Sequence, residues 1–166
     1  MRFVQAVKAA VAVAAGLVIT FSQAHSAAVG LLVFAVFALA YGVLVSTFAL
    51  RFEASRYLRE ELVVAVVSIS LACLAFLNID AGQSTFTILV AVWALVLAGN
   101  EAQLAWRARP NGNSWRDHLI TAGLAFALSL LFFVTPMDSV SSVGFFGAYL
   151  VLSSVHLAIA AFSPKS

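Results

Sequence analysis

Two side chains combine acid–base capacity with a place inside an apolar run: Glu101, in the stretch LVAVWALVLAGNEAQLAWRAR (89–109), and His156, in GFFGAYLVLSSVHLAIAAF. An ionisable group at a membrane helix centre costs about 2.5 to 3.5 kcal/mol on insertion scales, so each is a functional candidate. Glu101 precedes Trp106 by five residues, about 7.5 Å along a helix axis, which sets it below the interface but short of the midplane. Helical spacing groups Glu101 with Ala94, Ala98 and Ala105, a small-residue face suited to close packing, and groups Asn100 with Trp93, Gln103 and Arg107. Close packing is expected along Ala94, Ala98 and Ala102.

Aligning the apolar segments FALAYGVLVSTFAL, ALVLAGNEAQLAWR and YLVLSSVHLAIAAF brings Gly42, Gly99 and Ser154 into register and sets Glu101 at the level of His156. A carboxylate and an imidazole meeting there can share a proton, with Asn100 and Ser153 completing a polar site. The alternative is separate satisfaction: Glu101 by Arg107 or another arginine, His156 by Ser153 or a backbone carbonyl. Two ligands from distant helices are too few for a metal centre. No HExxH, Walker, GxSxG or dinucleotide motif is present, so neither a catalytic site nor a cofactor is expected. Cys73, the single cysteine, reads as a packing residue; His25 reads as exposed in a turn; Lys8 is expected to snorkel to the surface.

The elements that must position these residues follow from composition. A chain of 166 residues that is 63% hydrophobic and 10% charged has far more apolar surface than a soluble core could bury. Segments near the roughly 20 residues needed to cross a bilayer fall at 4–21, 27–50, 62–77, 86–106, 119–134 and 140–162. The expected fold is an all-α membrane domain of six transmembrane helices. The first segment, with its basic start and the SQA before His25, also has the layout of a cleavable signal peptide. Its place in the repeat favours retention.

All nine basic residues fall on one side of this plan: Arg2 and Lys8; Arg51, Arg56 and Arg59; Arg107, Arg109 and Arg116; and Lys165. The opposite turns, SQAHSA, NIDAGQS and TPMDSVSS, contain no Lys or Arg, so the positive-inside rule places both termini in the cytoplasm. In the loop RFEASRYLREE, Arg56 and Glu60 are four apart and can pair locally, as can Tyr57 and Glu61. Pro110, Asn111 and Gly112 supply a turn between Trp106 and Trp115. The partners expected are the lipid bilayer and a membrane protein or a second copy, not nucleic acid. Adding Gly16, Ala72 and Ala127 to the register describes three hairpins of about 55 residues, near 4–50, 61–106 and 118–162, whose parallel copies can surround an axis along the membrane normal.

Asn113-Ser114-Trp115, the run LITAGLAFALSLLFFVTPMDSV, the segment GFFGAYLVLSSVHLAIAAF and the fainter echo WALVLAGNEAQLAWRAR resemble the HdeD family of small bacterial membrane proteins, built from a repeated two-helix domain. The resemblance implies a six-helix inner-membrane protein associated with acid resistance, and it carries over no catalytic residue. The first hairpin, rich in Ala and Val, lacks the family's proline-containing outer turn. The function expected is a stress-response or envelope-integrity role without catalysis. The alternative is a small proton-linked transporter or channel using Glu101 and His156.

Overall fold

A computed structural model of the chain describes residues 2–52, 58–109 and 114–162. Six helices follow one another: α1 (Arg2–Phe21), α2 (Ala27–Phe52), α3 (Leu58–Leu77), α4 (Gln83–Ala108), α5 (Ser114–Val134) and α6 (Ser139–Phe162), with no strand among the described residues. Each is long and apolar enough to cross a membrane. In hydrocarbon every backbone polar group needs an internal partner, which selects helices for such segments. The outward surfaces carry exposed Leu32, Val66, Ile88, Phe126, Leu130 and Ile159, apolar side chains suited to lipid contact. The expected segments are recovered with small extensions. The largest in consequence is α3, which starts at Leu58 and so takes Glu60 and Glu61 out of the expected loop and into its first turn. Arg56 and Tyr57, with their expected local pairings, the turn at 110–112 and Lys165 lie outside the described residues.

Local signals fix the short turns that lack basic residues. Ser26 Oγ accepts the Val29 N–H at the start of α2, and Gly82 provides the positive φ of 85° that turns the chain into α4. Before α6, Asp138 Oδ1 accepts the Ser141 N–H at 3.1 Å. Ser141, through its hydroxyl and its backbone N–H, holds the Asp138 carboxyl below its usual value of 3.8.

The helices form a closed ring in which α2, α4 and α6 touch one another centrally and α1, α3 and α5 stand outside them. Packing is most extensive in the pairs α4/α5, α1/α6 and α2/α3. Helices joined by the short turns α1–α2, α3–α4 and α5–α6 touch less, and between α1 and α2 this leaves a wholly apolar cleft of about 420 Å³. Small residues permit the tight pairs. A Cβ on Gly42 would lie 2.7 Å from Ile69 and 2.9 Å from the Ala65 carbonyl oxygen, while one on Gly99 would meet nothing within 4 Å. Gly42 is therefore a close-approach position and Gly99, its counterpart in the alignment, is not. Of the expected alanine stripe, Ala94 and Ala98 are buried and Ala102 is exposed; the buried face continues through Glu101 and Ala105 instead.

An aromatic cluster fills the axis. Trp93 meets Phe34, Phe37, Tyr41 and Tyr149 edge-on with ring centroids 5.3–6.3 Å apart, and Phe146 joins Phe34, Phe37 and Phe86. The Trp93 indole N–H donates to Ser68 Oγ at 3.0 Å, satisfying its one polar atom. Trp93 thus belongs to the core rather than to a polar stripe with Gln103 and Arg107, both exposed. At the end of the bundle opposite the arginines Gln83 ties α4 to the start of α6, donating to the Met137 carbonyl and accepting from Ser139 Oγ.

Two outcomes follow. Gly42→Ala lowers stability by about 1–3 kcal/mol in detergent unfolding, because a backbone oxygen must move; Gly99→Ala is neutral or raises it by up to about 1 kcal/mol, the helical gain of Ala over Gly. Since the Asp138 carboxyl titrates lower folded than unfolded, its contribution is complete above 3.8 and disappears as pH falls through the lowered value. Amide exchange in the first turn of α6 should therefore rise in that acid window, and Asp138→Asn should flatten the dependence.

Candidate functional site

Charge gathers at the basic end of the bundle, below the aromatic cluster. Glu101 follows Trp93 by eight residues, about 12 Å along α4. Lys8, at the end of the second turn of α1, is only 6% exposed, a correction to the expected snorkelling. Its Nζ donates to Glu61 of α3 at 3.1 Å and lies 5.6 Å from the centre of the Tyr41 ring of α2. A lysine this deep needs a counter-charge, and the extension of α3 supplies it.

Glu101, 7% exposed, meets His118 of α5, with Oε2 2.7 Å from Nδ1. When Nδ1 carries the proton it donates to the carboxylate. The two pairs share one electrostatic environment: Glu101 acts on Lys8 and Tyr41, Lys8 and Glu61 act on His118, and Glu101 and Tyr41 act on Tyr149 of α6. Each of the six helices thus contributes a polar side chain to one layer. At its rim, the Arg107 guanidinium pairs with Glu60, so Arg107 is not the partner of Glu101.

His156 takes a different route to the same helix. Its Nε2 lies 3.1 Å from the carbonyl oxygen of Asp117, the residue before His118, and donates there when that nitrogen carries the proton. Glu101 and His156 therefore reach consecutive residues of α5, one through a side chain and the other through the backbone, and do not meet. Ser153 is buried beside the Tyr149 hydroxyl, but its Oγ falls outside hydrogen-bond geometry. Asn100 is half-buried on the flank of α4, and Arg51 and Arg59 are exposed. The Arg109 guanidinium lies over the rings of Trp106 and Trp115, and that of Arg116 over Trp115. Among the described residues no group of three His, Cys, Asp or Glu side chains could hold a metal ion.

Sequence reasoning missed His118, Lys8 and Glu61 as members of this site. His118 fell one residue outside an apolar segment, and Glu61 sat in what read as a loop. The usable signal was Lys8 itself, a cation seven residues into a spanning helix with no acidic neighbour on its own segment. Comparisons with family models, with curated proteins and with solved structures find no match.

The layer can hold or release a proton at Glu101–His118, and it depends on complete pairing at Lys8–Glu61. Lys8→Met, which strands Glu61, should cost about 3–5 kcal/mol in denaturant unfolding in micelles. Lys8→Met/Glu61→Gln should recover most of the loss; a double variant as unstable as the single one would assign the cost to packing alone.

Proposed function

We propose that the chain is a multi-pass protein of the bacterial plasma membrane that supports the envelope under acid stress by responding to protons at its buried charge layer, with no catalysis of its own. The observation that carries this reading is the Glu101–His118 contact. With Lys8 charged, Glu61 and Glu101 ionised, and both tyrosines neutral, the layer has formal charge −1 when His118 is neutral and zero when it is an imidazolium. In a low-dielectric surround a full unit of unbalanced charge is costly, so a single proton changes the energetics of all six helices together. The groups facing the pair are Lys8 from α1, Tyr41 from α2, Glu61 from α3 and Tyr149 from α6, with Glu60–Arg107 at the rim and His156 held on the Asp117 carbonyl.

The resemblance to HdeD-like proteins supports the acid-stress setting, and the concentration of arginines at the end that holds the layer supports cytoplasmic termini. On this reading the chain is three parallel hairpins around an axis along the membrane normal, a plan that agrees with alternating central and peripheral helices. Proton-linked transport through Glu101 and His156 has less support, because those residues have separate partners and Trp93 and Phe146 occupy the axis outward of them.

The test is acid survival of a strain lacking the protein, complemented with wild type or with Glu101→Gln at matched membrane abundance. Wild type is expected to restore survival and the variant to restore little of it. Survival of the deletion strain equal to its parent would remove the acid-stress role, and full rescue by Glu101→Gln would reduce the layer to a structural device.

A further inference from the structure

The ends of α4 and α5 hold a second concentration of charge, separate from the buried layer and differently built. The Arg109 guanidinium lies 5.0 Å from the centre of the Trp106 ring and 5.6 Å from that of Trp115, and the Arg116 guanidinium lies 5.5 Å from Trp115. Two cations thus share one indole and a second indole flanks the pair. The neighbouring Arg107 is neutralised by Glu60, whereas among the described residues Arg109 and Arg116 have aromatic partners and no carboxylate. Asp117, in the same turn, forms no ion pair with either.

A cation held over an aromatic face gives up none of its N–H donors to a carboxylate, and the planar guanidinium fork suits phosphate oxygens. The location narrows the source of that phosphate. The apolar spans end at Ala108 and begin at Trp115, so the cluster sits at the membrane edge, the depth of headgroups and of interfacial indoles. Just inside it, Leu119 and Ile120 are exposed and apolar, offering surface to acyl chains.

We propose that Arg109 and Arg116, braced by Trp106 and Trp115, bind the phosphate of an anionic phospholipid headgroup. The basic residues of this loop then do more than orient the protein: they select a lipid.

The three tryptophans provide the readout, since two are in the site and Trp93, 2% exposed, is remote from bulk lipid. The full chain is placed in vesicles containing phosphatidylglycerol or phosphatidylcholine with brominated acyl chains, and tryptophan quenching is followed against mole fraction. Brominated phosphatidylglycerol is expected to quench at a lower mole fraction, with selectivity falling roughly fivefold for each arginine removed in R109Q and R109Q/R116Q. The variant R109K/R116K, charged but without the planar fork of donors, should recover only part of it. Loss of the exposed Arg51 in R51Q should leave selectivity in place. Equal quenching by the two lipids, full recovery by the lysine variant, or an equal loss in R51Q would each overturn the site. Displacement by inorganic phosphate at matched ionic strength would reassign it to the free anion.

Discussion

The constraint on which this bundle depends is that charge inside a membrane must be matched across helices. Lys8 is the strictest case, because its own helix offers no carboxylate and its depth denies it water. Glu61 answers it from α3, and Glu101 and His118 do the same between α4 and α5. Each contact fixes the rotation and depth of two helices at once, which apolar packing between smooth surfaces does less sharply. Such pairs need not add net stability over well-packed apolar residues. What they provide in this chain is an arrangement in which Lys8 and Glu101 each meet a partner on another helix.

The rest of the architecture can be read as the means of keeping that layer closed. Aromatic rings fill the axis on the side of it away from the arginines. At the far end from the arginines the Gln83 carboxamide holds α4 against the beginning of α6. Close approach at Gly42, where even a methyl group would strike a carbonyl, brings α2 and α3 together and with them the helices carrying Tyr41 and Glu61. Polar, aromatic and polar layers thus succeed one another along α4 at Gln83, Trp93 and Glu101.

Much of this was legible in the sequence, and the limits have a physical origin. Six apolar runs of bilayer length announce six helices because lipid leaves the backbone no other choice. The buried face of α4 could be read from helical spacing, so Glu101 was correctly expected to face protein, and a backbone carbonyl was one of the partners foreseen for His156. Spacing within a helix carries no information about the rotation of another helix tens of residues away, and so His118 could not be chosen over His156 as the partner of Glu101. Lys8 and Glu61 illustrate a second limit. A charge beside an apolar run looks like a boundary when each segment is judged alone; it reads as interior only once its counter-charge on another helix is known.

The close pairing of α1 with α6 links the chain's beginning to its end, and this bears on assembly. During synthesis α1 emerges well before α6, so the surface that covers Ile19 and approaches Gly16 arrives only when α6 follows. Until then α1 can be held through the Lys8–Glu61 pair, which becomes possible as soon as α3 is inserted. The Lys8–Glu61 contact can therefore form before the α1–α6 contact, which closes the ring of these six helices.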